Sequence, residues 1–212
     1  MTTLRIREAL LAGTARQLGN PHGLVGRFVI ANRLNRGNRR PVSAAVDALA
    51  VGLGDTVADL GFGGGIGLRL LLDKVGPNGT VHGVDISPAM LAKARRTFRT
   101  DAGRLVLHNG SITALPLPDN AIDKALCVNV AYFVDDLGAA FAEVARVLRP
   151  GGRLVLGVAD VSFLAKLPFT RYGFILREAD AYRAALTESG LVVREHRKFD
   201  IGHLLVAEAD AA

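Results

Sequence analysis

The 212-residue chain has a single cysteine, Cys127, and only 6% aromatic residues. One thiol makes neither an internal disulfide nor a multi-thiolate metal site, so a disulfide scaffold and a zinc module are both excluded, and a reducing setting fits. Long apolar runs are missing as well. Arg, Asp or Gly interrupts every hydrophobic stretch before the roughly 18 to 20 residues of a membrane span, so no span is expected; the cytoplasmic location expected rests on the lone cysteine. Acids are scarce in one place. Within residues 1–40 only Glu8 faces eight arginines (Arg5, Arg7, Arg16, Arg27, Arg33, Arg36, Arg39 and Arg40), a net +7, whereas the rest of the chain carries −1 of the overall +6. Three readings of that segment compete: a patch for an anionic partner, a targeting sequence, or an Arg-rich helical lid. The short apolar stretch around Leu10 and Leu11, preceded by Glu8, argues against a secretory signal; an organellar transit peptide is itself Arg-rich and acid-poor.

What is present is half hydrophobic and 22% charged, enough for one well-buried domain. From about residue 55 short β-branched or apolar runs alternate with helical patterns, the rhythm of a parallel sheet covered by helices on both faces. Residues 56–60, 80–84, 104–107, 122–128 and 153–158 read as five strands, nearly continuous apolar runs as double-sided burial requires. Helices are expected over 66–75, from Ser87-Pro88 to about 98, over 136–148 and near 178–189. Ser87 can cap free N–H groups while Pro88 needs none, and Pro150-Gly151-Gly152 is expected to turn the chain into the fifth strand. A loop over 162–172 follows that strand. Runs at 191–198 and 203–208, joined by Asp200-Ile201-Gly202, predict a closing antiparallel hairpin and hence seven strands in one layer. Before residue 55, helices are plausible over 4–17 and 42–51. The division drawn is an Arg-rich helical appendage over 1–41 and one domain over 42–212.

The strongest local signal is Asp59-Leu60-Gly61-Phe62-Gly63-Gly64-Gly65-Ile66-Gly67, at a strand-to-helix transition where glycines allow positive φ and close approach to a ligand. It fits G-x-G-x-x-G poorly, because the sixth position falls on Ile66 or Leu68, and it lacks the G-K-[ST] of a triphosphate loop. The spacing it does satisfy is acidic-x-Gly-x-Gly-x-Gly. Twenty residues after Gly65, at the end of the second strand, stands Asp85, whose carboxylate can accept from both hydroxyls of a ribose. No basic residue lies between Asp59 and Leu68, so the site suits a cationic nucleoside and not a pyrophosphate. A glycine-rich first turn followed by an acid also occurs in α/β proteins with no such ligand.

Taken together, the segments Val57 to Gly65, Val84-Asp85-Ile86-Ser87-Pro88-Ala89-Met90-Leu91, Leu115-Pro116-Leu117-Pro118-Asp119-Asn120-Ala121-Ile122-Asp123 and Val147-Leu148-Arg149-Pro150-Gly151-Gly152 resemble the class I S-adenosylmethionine-dependent methyltransferases. The closest branch is the quinone-methyltransferase-like group, and the resemblance covers residues 42–208. It implies a Rossmann-like doubly wound α/β sheet of order 3-2-1-4-5-7-6 with strand 7 antiparallel, and S-adenosylmethionine as cofactor with S-adenosylhomocysteine as product. It also implies that the loop of Asp59, Gly61, Phe62, Gly63 and Gly65 backs the methionine part, Asp85 holds the ribose and Ile86 lies on the adenine. The chain departs from the family after the third strand. There Asn109-Gly110-Ser111-Ile112 replaces the usual acid, leaving Ser111 to accept from the adenine amino group and Ile112 to pack on the ring.

Methyl transfer is an in-line displacement, so the protein mainly holds the acceptor at near-attack distance and excludes water. A base would help an alcohol acceptor by roughly 10²- to 10⁴-fold. Candidates beyond strands four and five are Asn129, Tyr132, Asp135 and Asp160, with His22 if the appendage folds over. Asn129-Val130-Ala131-Tyr132 is similar to the N-P-P-Y of exocyclic-amine methylases but lacks both prolines, and Tyr132-Phe133 can equally be an aromatic pair shielding the cofactor. His82, His108, His196 and His203 show no metal-ligand spacing, so no metal is expected. The leading expectation is an enzyme that methylates a small molecule, glycan, lipid or quinone-type acceptor at a hydroxyl. Gly23, Gly26 and Gly37 would bend the lid, and Arg27, Arg33, Arg36 and Arg39 would line its entrance. The oligomeric state stays open, a homodimer included. One rival is an RNA methyltransferase using the arginines on phosphates, against which stands the lack of interleaved aromatics, with Phe28 alone. The other is a catalytically silent cofactor-binding regulator.

Overall fold

Seven strands, β1 (Thr56–Leu60), β2 (Thr80–Asp85), β3 (Leu105–Asn109), β4 (Ile122–Val128), β5 (Leu148–Ala159), β6 (Leu191–Phe199) and β7 (Gly202–Ala209), pair in the order 3-2-1-4-5-7-6. The computed structural model describes residues 31–211 together with Glu8, Ala12 and Gly13. All pairings are parallel except β5 with β7 and β6 with β7, which are antiparallel. The carboxyl ends of β1, β2, β4 and β5 therefore lie at one end of the sheet, and the β6–β7 turn joins them there.

Alternation within each strand sends its residues to two cores. Ala58, Leu60, Ala125 and Leu156 face the helices α4 (Leu137–Val147) and α6 (Ala179–Glu188) through Phe141, Val144 and Leu186. Val57, Leu126 and Val155 face α1 (Ala31–Leu49), α2 (Ile66–Val75) and α3 (Pro88–Thr97) through Leu49, Leu71 and Met90. Each fully buried Leu or Val contributes roughly 1.5 to 3 kcal/mol, which fixes strand register against a one-residue slip. The N-terminus of α3 is set as the sequence predicts, with Ser87 Oγ accepting from Met90 N–H at 3.4 Å and Pro88 at the first position. Asp136 caps α4 from outside the helix, its Oδ1 accepting from Ala139 N–H at 2.9 Å.

Three expectations are corrected. Pro150-Gly151-Gly152 is not a turn before the fifth strand but part of it: β5 begins at Leu148, opposite Ile122, and a register shift follows where Gly151 takes φ +73°. The stretch read as loop 162–172 opens with a short helix, α5 (Val161–Leu164), capped by Asp160. The helix expected over 42–51 starts at Ala31, so a division between residues 41 and 42 falls inside it. Pro41 gives up one helical hydrogen bond, and the buried stripe Val42, Ala45, Val46 and Leu49, spaced by three and four, begins directly after it. That stripe was the legible part. Of the helix expected over 4–17 only Glu8, Ala12 and Gly13 are described, and His22, Gly23, Gly26, Arg27 and Phe28 lie outside the described residues, as do the side chains of Arg33 and Arg36. No helix among the described residues is long and apolar enough to cross a membrane.

Candidate functional site

The turn after β1 is shaped by three glycines in the left-handed region, Gly61 (φ +73°), Gly63 (φ +48°) and Gly65 (φ +85°). Gly61 N–H donates to Val84 O at 2.7 Å, drawing the turn against the end of β2, and a side chain at Gly61 would run into Val130. At Gly63 the nearest atom to an added Cβ would be Gly61 O at 3.9 Å, so the turn is open on that side. The amide of Gly63 points to Asp85, donating to Oδ2 at 2.8 Å, while Ser87 N–H donates to Oδ1 at 2.8 Å. Two backbone donors thus fix a carboxylate that is 7% exposed, and each oxygen keeps a lone pair for a further donor. Burial raises the Asp85 pKa, and the amides of Ser87 and Gly63 oppose that rise. Ile86 beside it is 47% exposed, an apolar side chain open to the cleft.

Asp59 lies behind the loop. Its Oδ2 faces Gly67 in the first turn of α2, is buried, and has no hydrogen bond of good geometry among the described residues. Burial, with the charge of Asp85 second, pushes its pKa up to about 7, while the Leu68 amide pulls the other way. The Phe62 side chain is buried in the core beside Gly83, and only its backbone belongs to the loop surface. Ile112 is buried with Val84 and Leu115 and offers the cleft little surface. Ser111 Oγ sits 2.8 Å from Thr113 Oγ1 and accepts from Thr113 N–H at 3.2 Å, so it is engaged in its own turn.

On the other half of the end, Asn129 follows β4 at φ +61°, a left-handed conformation that Asn tolerates better than most residues, with its N–H donating to Gly157 O at 2.8 Å. Tyr132 is 6% exposed and stacks on Phe174 at 5.2 Å, with Phe133 edge-on at 5.0 Å. Burial raises its phenol above the usual range, so it stays protonated near neutrality. In this position its ring forms a wall. Asp160 contrasts with Tyr132. Its Oδ1 accepts from Ser162 N–H at 2.8 Å and from the Ser162 hydroxyl, and its Oδ2 lies 3.1 Å from His203 Nε2. The Ser162 bonds, then His203, hold its pKa well below the carboxylate range. Asp135 is exposed, and its carbonyl is bonded by Arg177 Nη2 at 2.9 Å. No group of three or more potential metal ligands occurs among the described residues.

Sequence reasoning missed four contributors. Asn109 donates from Nδ2 to the carbonyls of Asp85 (3.1 Å) and Ile86 (3.2 Å), pinning the end of β2; a polar residue closing an apolar strand beside Asp85 was its only signal. Phe174 and Arg177 come from the stretch taken for a plain connection. There Ile175 N–H donates to Tyr132 O at 2.8 Å, so the segment after α5 closes over the turn after β4. His203 was read as a strand histidine, yet it joins Asp160 to His196, whose Nε2 lies 2.9 Å from its Nδ1.

Comparison with known proteins agrees with this geometry. A family model described as a methyltransferase domain matches residues 58–156. An arsenite methyltransferase of Halobacterium salinarum is 37% identical over 120 residues, 56% of this chain and 30% of its own. A demethylmenaquinone methyltransferase of Symbiobacterium thermophilum is 34% identical over 125 residues, 58% of this chain and 49% of its own. The chain spans less than two thirds of the length of the curated relatives it matches. A solved structure of a SAM-dependent methyltransferase from Aquifex aeolicus superposes with a TM-score of 0.73 at 19% identity, over 84% of this chain and 96% of that one, which is a likeness of fold.

Proposed function

From a chain that carries a class I S-adenosylmethionine-dependent methyltransferase domain of the quinone-methyltransferase-like type, we propose methyl transfer from S-adenosylmethionine to a hydroxyl of a small, largely apolar acceptor. The observation that carries this reading is the clamp of Asp85 between the Gly63 and Ser87 amides, with Ile86 exposed beside it. A fixed carboxylate with lone pairs to spare suits a ribose diol, an exposed Ile suits the flat adenine, and the open side of Gly63 leaves room for the chain that joins them. The residues present fit the cofactor. Once bound, it supplies an electrophilic methyl group on a cationic sulfur.

The protein's part is to position and to dry. Gly61, Gly63 and Gly65 bring backbone close to the ligand, and Asn129 with Tyr132 bounds the side where the acceptor enters. Asp59 supports the loop from behind through α2, and Ser111 borders the adenine side. The wall of Tyr132, Phe133, Phe169 and Phe174, with ring centroids 4.5 to 5.9 Å apart, favours an apolar or planar acceptor over a sugar. Neither Tyr132 nor Asp160 is suited to remove a proton, so catalysis here is positioning and exclusion of water, with the acceptor's proton passing to solvent. Mass spectrometry of the full chain incubated with S-adenosylmethionine and a panel of phenols, quinols, lipid alcohols and sugars tests this. The expected result is a one-methyl mass gain on an apolar hydroxyl compound; gain on sugars alone, or on none of the panel, would overturn it.

A further inference from the structure

We propose that the end of the molecule around the acceptor side docks on an anionic lipid bilayer through the β6–β7 turn and the segment 161–177. The first observation is where the few aromatics lie. Of twelve Phe and Tyr residues, seven (Tyr132, Phe133, Phe163, Phe169, Tyr172, Phe174 and Phe199) belong to the turn after β4, the segment after β5 and the hairpin. Several of them form the inner wall, and the rim outside it is also apolar. Phe199 is 45% exposed, Ile201 55% and Leu176 37%. The other exposed large apolar side chains are Leu53, Val106, the cleft residue Ile86 and Val192, which stands at the opposite end of β6 from Phe199.

These rim residues share one end of the sheet. Asp160 N–H donates to Ile201 O at 2.9 Å, tying the hairpin turn to the start of α5, while Ile175 and Arg177 on either side of Leu176 bond to the turn after β4. The second observation is charge. Residues 161–177 contain Lys166, Arg171 and Arg177 and no acid. Lys166 and Arg171 are exposed and make no ion pair among the described residues. Lys198, beside the tip, is 71% exposed and lies 3.7 Å from Asp160 Oδ2. Asp200 is the one acid at the tip itself, outnumbered by these cations. Exposed apolar side chains with unpaired cations on the neighbouring segment match a headgroup layer, where the apolar groups enter the interface and the cations meet anionic lipid. That the bilayer carries the acceptor rests on the proposed function; the docking itself does not.

The test is co-sedimentation of the full chain with vesicles of phosphatidylcholine alone and of phosphatidylcholine with phosphatidylglycerol, beside two variants, Phe199→Ser/Ile201→Ser and Lys166→Glu/Arg171→Glu. The parent should bind the anionic vesicles at least tenfold more than the neutral ones. Each variant should lose at least tenfold of that binding while keeping its affinity for S-adenosylhomocysteine. If the apolar pair upsets the hairpin and that affinity falls, the charge-reversal pair decides alone. No binding by the parent overturns the proposal, and so does equal binding by the variants, which would assign the lipid contact to the N-terminal arginines. Because none of these readouts involves turnover, docking and methyl transfer can fail separately.

Discussion

Asp59 and Asp85 lie on neighbouring strands at the same end, and burial raises both pKa values, yet their surroundings differ. Asp85 has two backbone donors; Asp59 has a buried oxygen without one. A native carboxyl that holds its proton to about pH 7, against 3.8 when unfolded, binds more protons than the unfolded chain between those values. Stability therefore falls as pH rises through that window and stays reduced above it. Three pKa units correspond to about 4 kcal/mol as an upper figure. Asp59→Asn removes the charge, so urea unfolding should show its stability relative to the parent growing by a few kcal/mol from pH 4 to pH 8; a difference independent of pH would contradict this. The sequence made both acids legible as a spacing. It did not separate their roles, because which way a carboxylate points depends on Gly67 and on the turn at Ser87, neither of which has a side chain pattern to read. The placement of Asn109 and Ile112 was not legible for a related reason: in a strand-to-loop passage the alternation of faces is lost, so the sequence does not say which side chain turns inward.

Between elements, the contact of the glycine turn with the turn after β4 determines the shape of the cleft. Gly61 at φ +73° has Val130 where a side chain would stand, so Gly61→Ala suffers both backbone strain and a clash. A loss of roughly 1 to 3 kcal/mol is expected, measured by thermal or urea unfolding, with weaker cofactor binding. Adding Val130→Ala should recover part of the loss, since it removes the clash and leaves the strain; full additivity of the two changes would show that the contact does not matter. The strands and the cap at Ser87 were legible because buried parallel strands are apolar runs and capping residues are few. The segment 161–177 was not. It is held by the Ile175 amide, Arg177 and the Asp160–Ser162 cap, individual polar contacts that leave no period in the sequence, although its aromatics and its lack of acids were there to be counted.

For the molecule as a whole, double-sided cover and the antiparallel closing pair followed from the βαβ rhythm and the hairpin, and the sheet order from the family resemblance, while the helix read over 42–51 runs across residue 41. Val42, Ala45, Val46 and Leu49 of α1 are buried at 0 to 6% exposure against β5, β4 and α2, so this helix belongs to the body and the excess positive charge lies largely ahead of its buried half. A chain starting at residue 31 is expected to keep the fold and bind S-adenosylhomocysteine as the full chain does. One starting at residue 50 loses those four side chains, on the order of 5 kcal/mol, and should show a collapsed Tm or no cooperative transition by calorimetry. Equal Tm values for the two would return α1 to the appendage. The central claim remains that the end of the sheet marked by Asp85 is a cofactor site. It is tested most directly by isothermal titration of the full chain with S-adenosylhomocysteine, parent against Asp85→Ala. Losing two charge-assisted ribose contacts predicts affinity weaker by about 10- to 100-fold or more, at unchanged stoichiometry; no binding by the parent, or equal affinity for the two, would contradict the account.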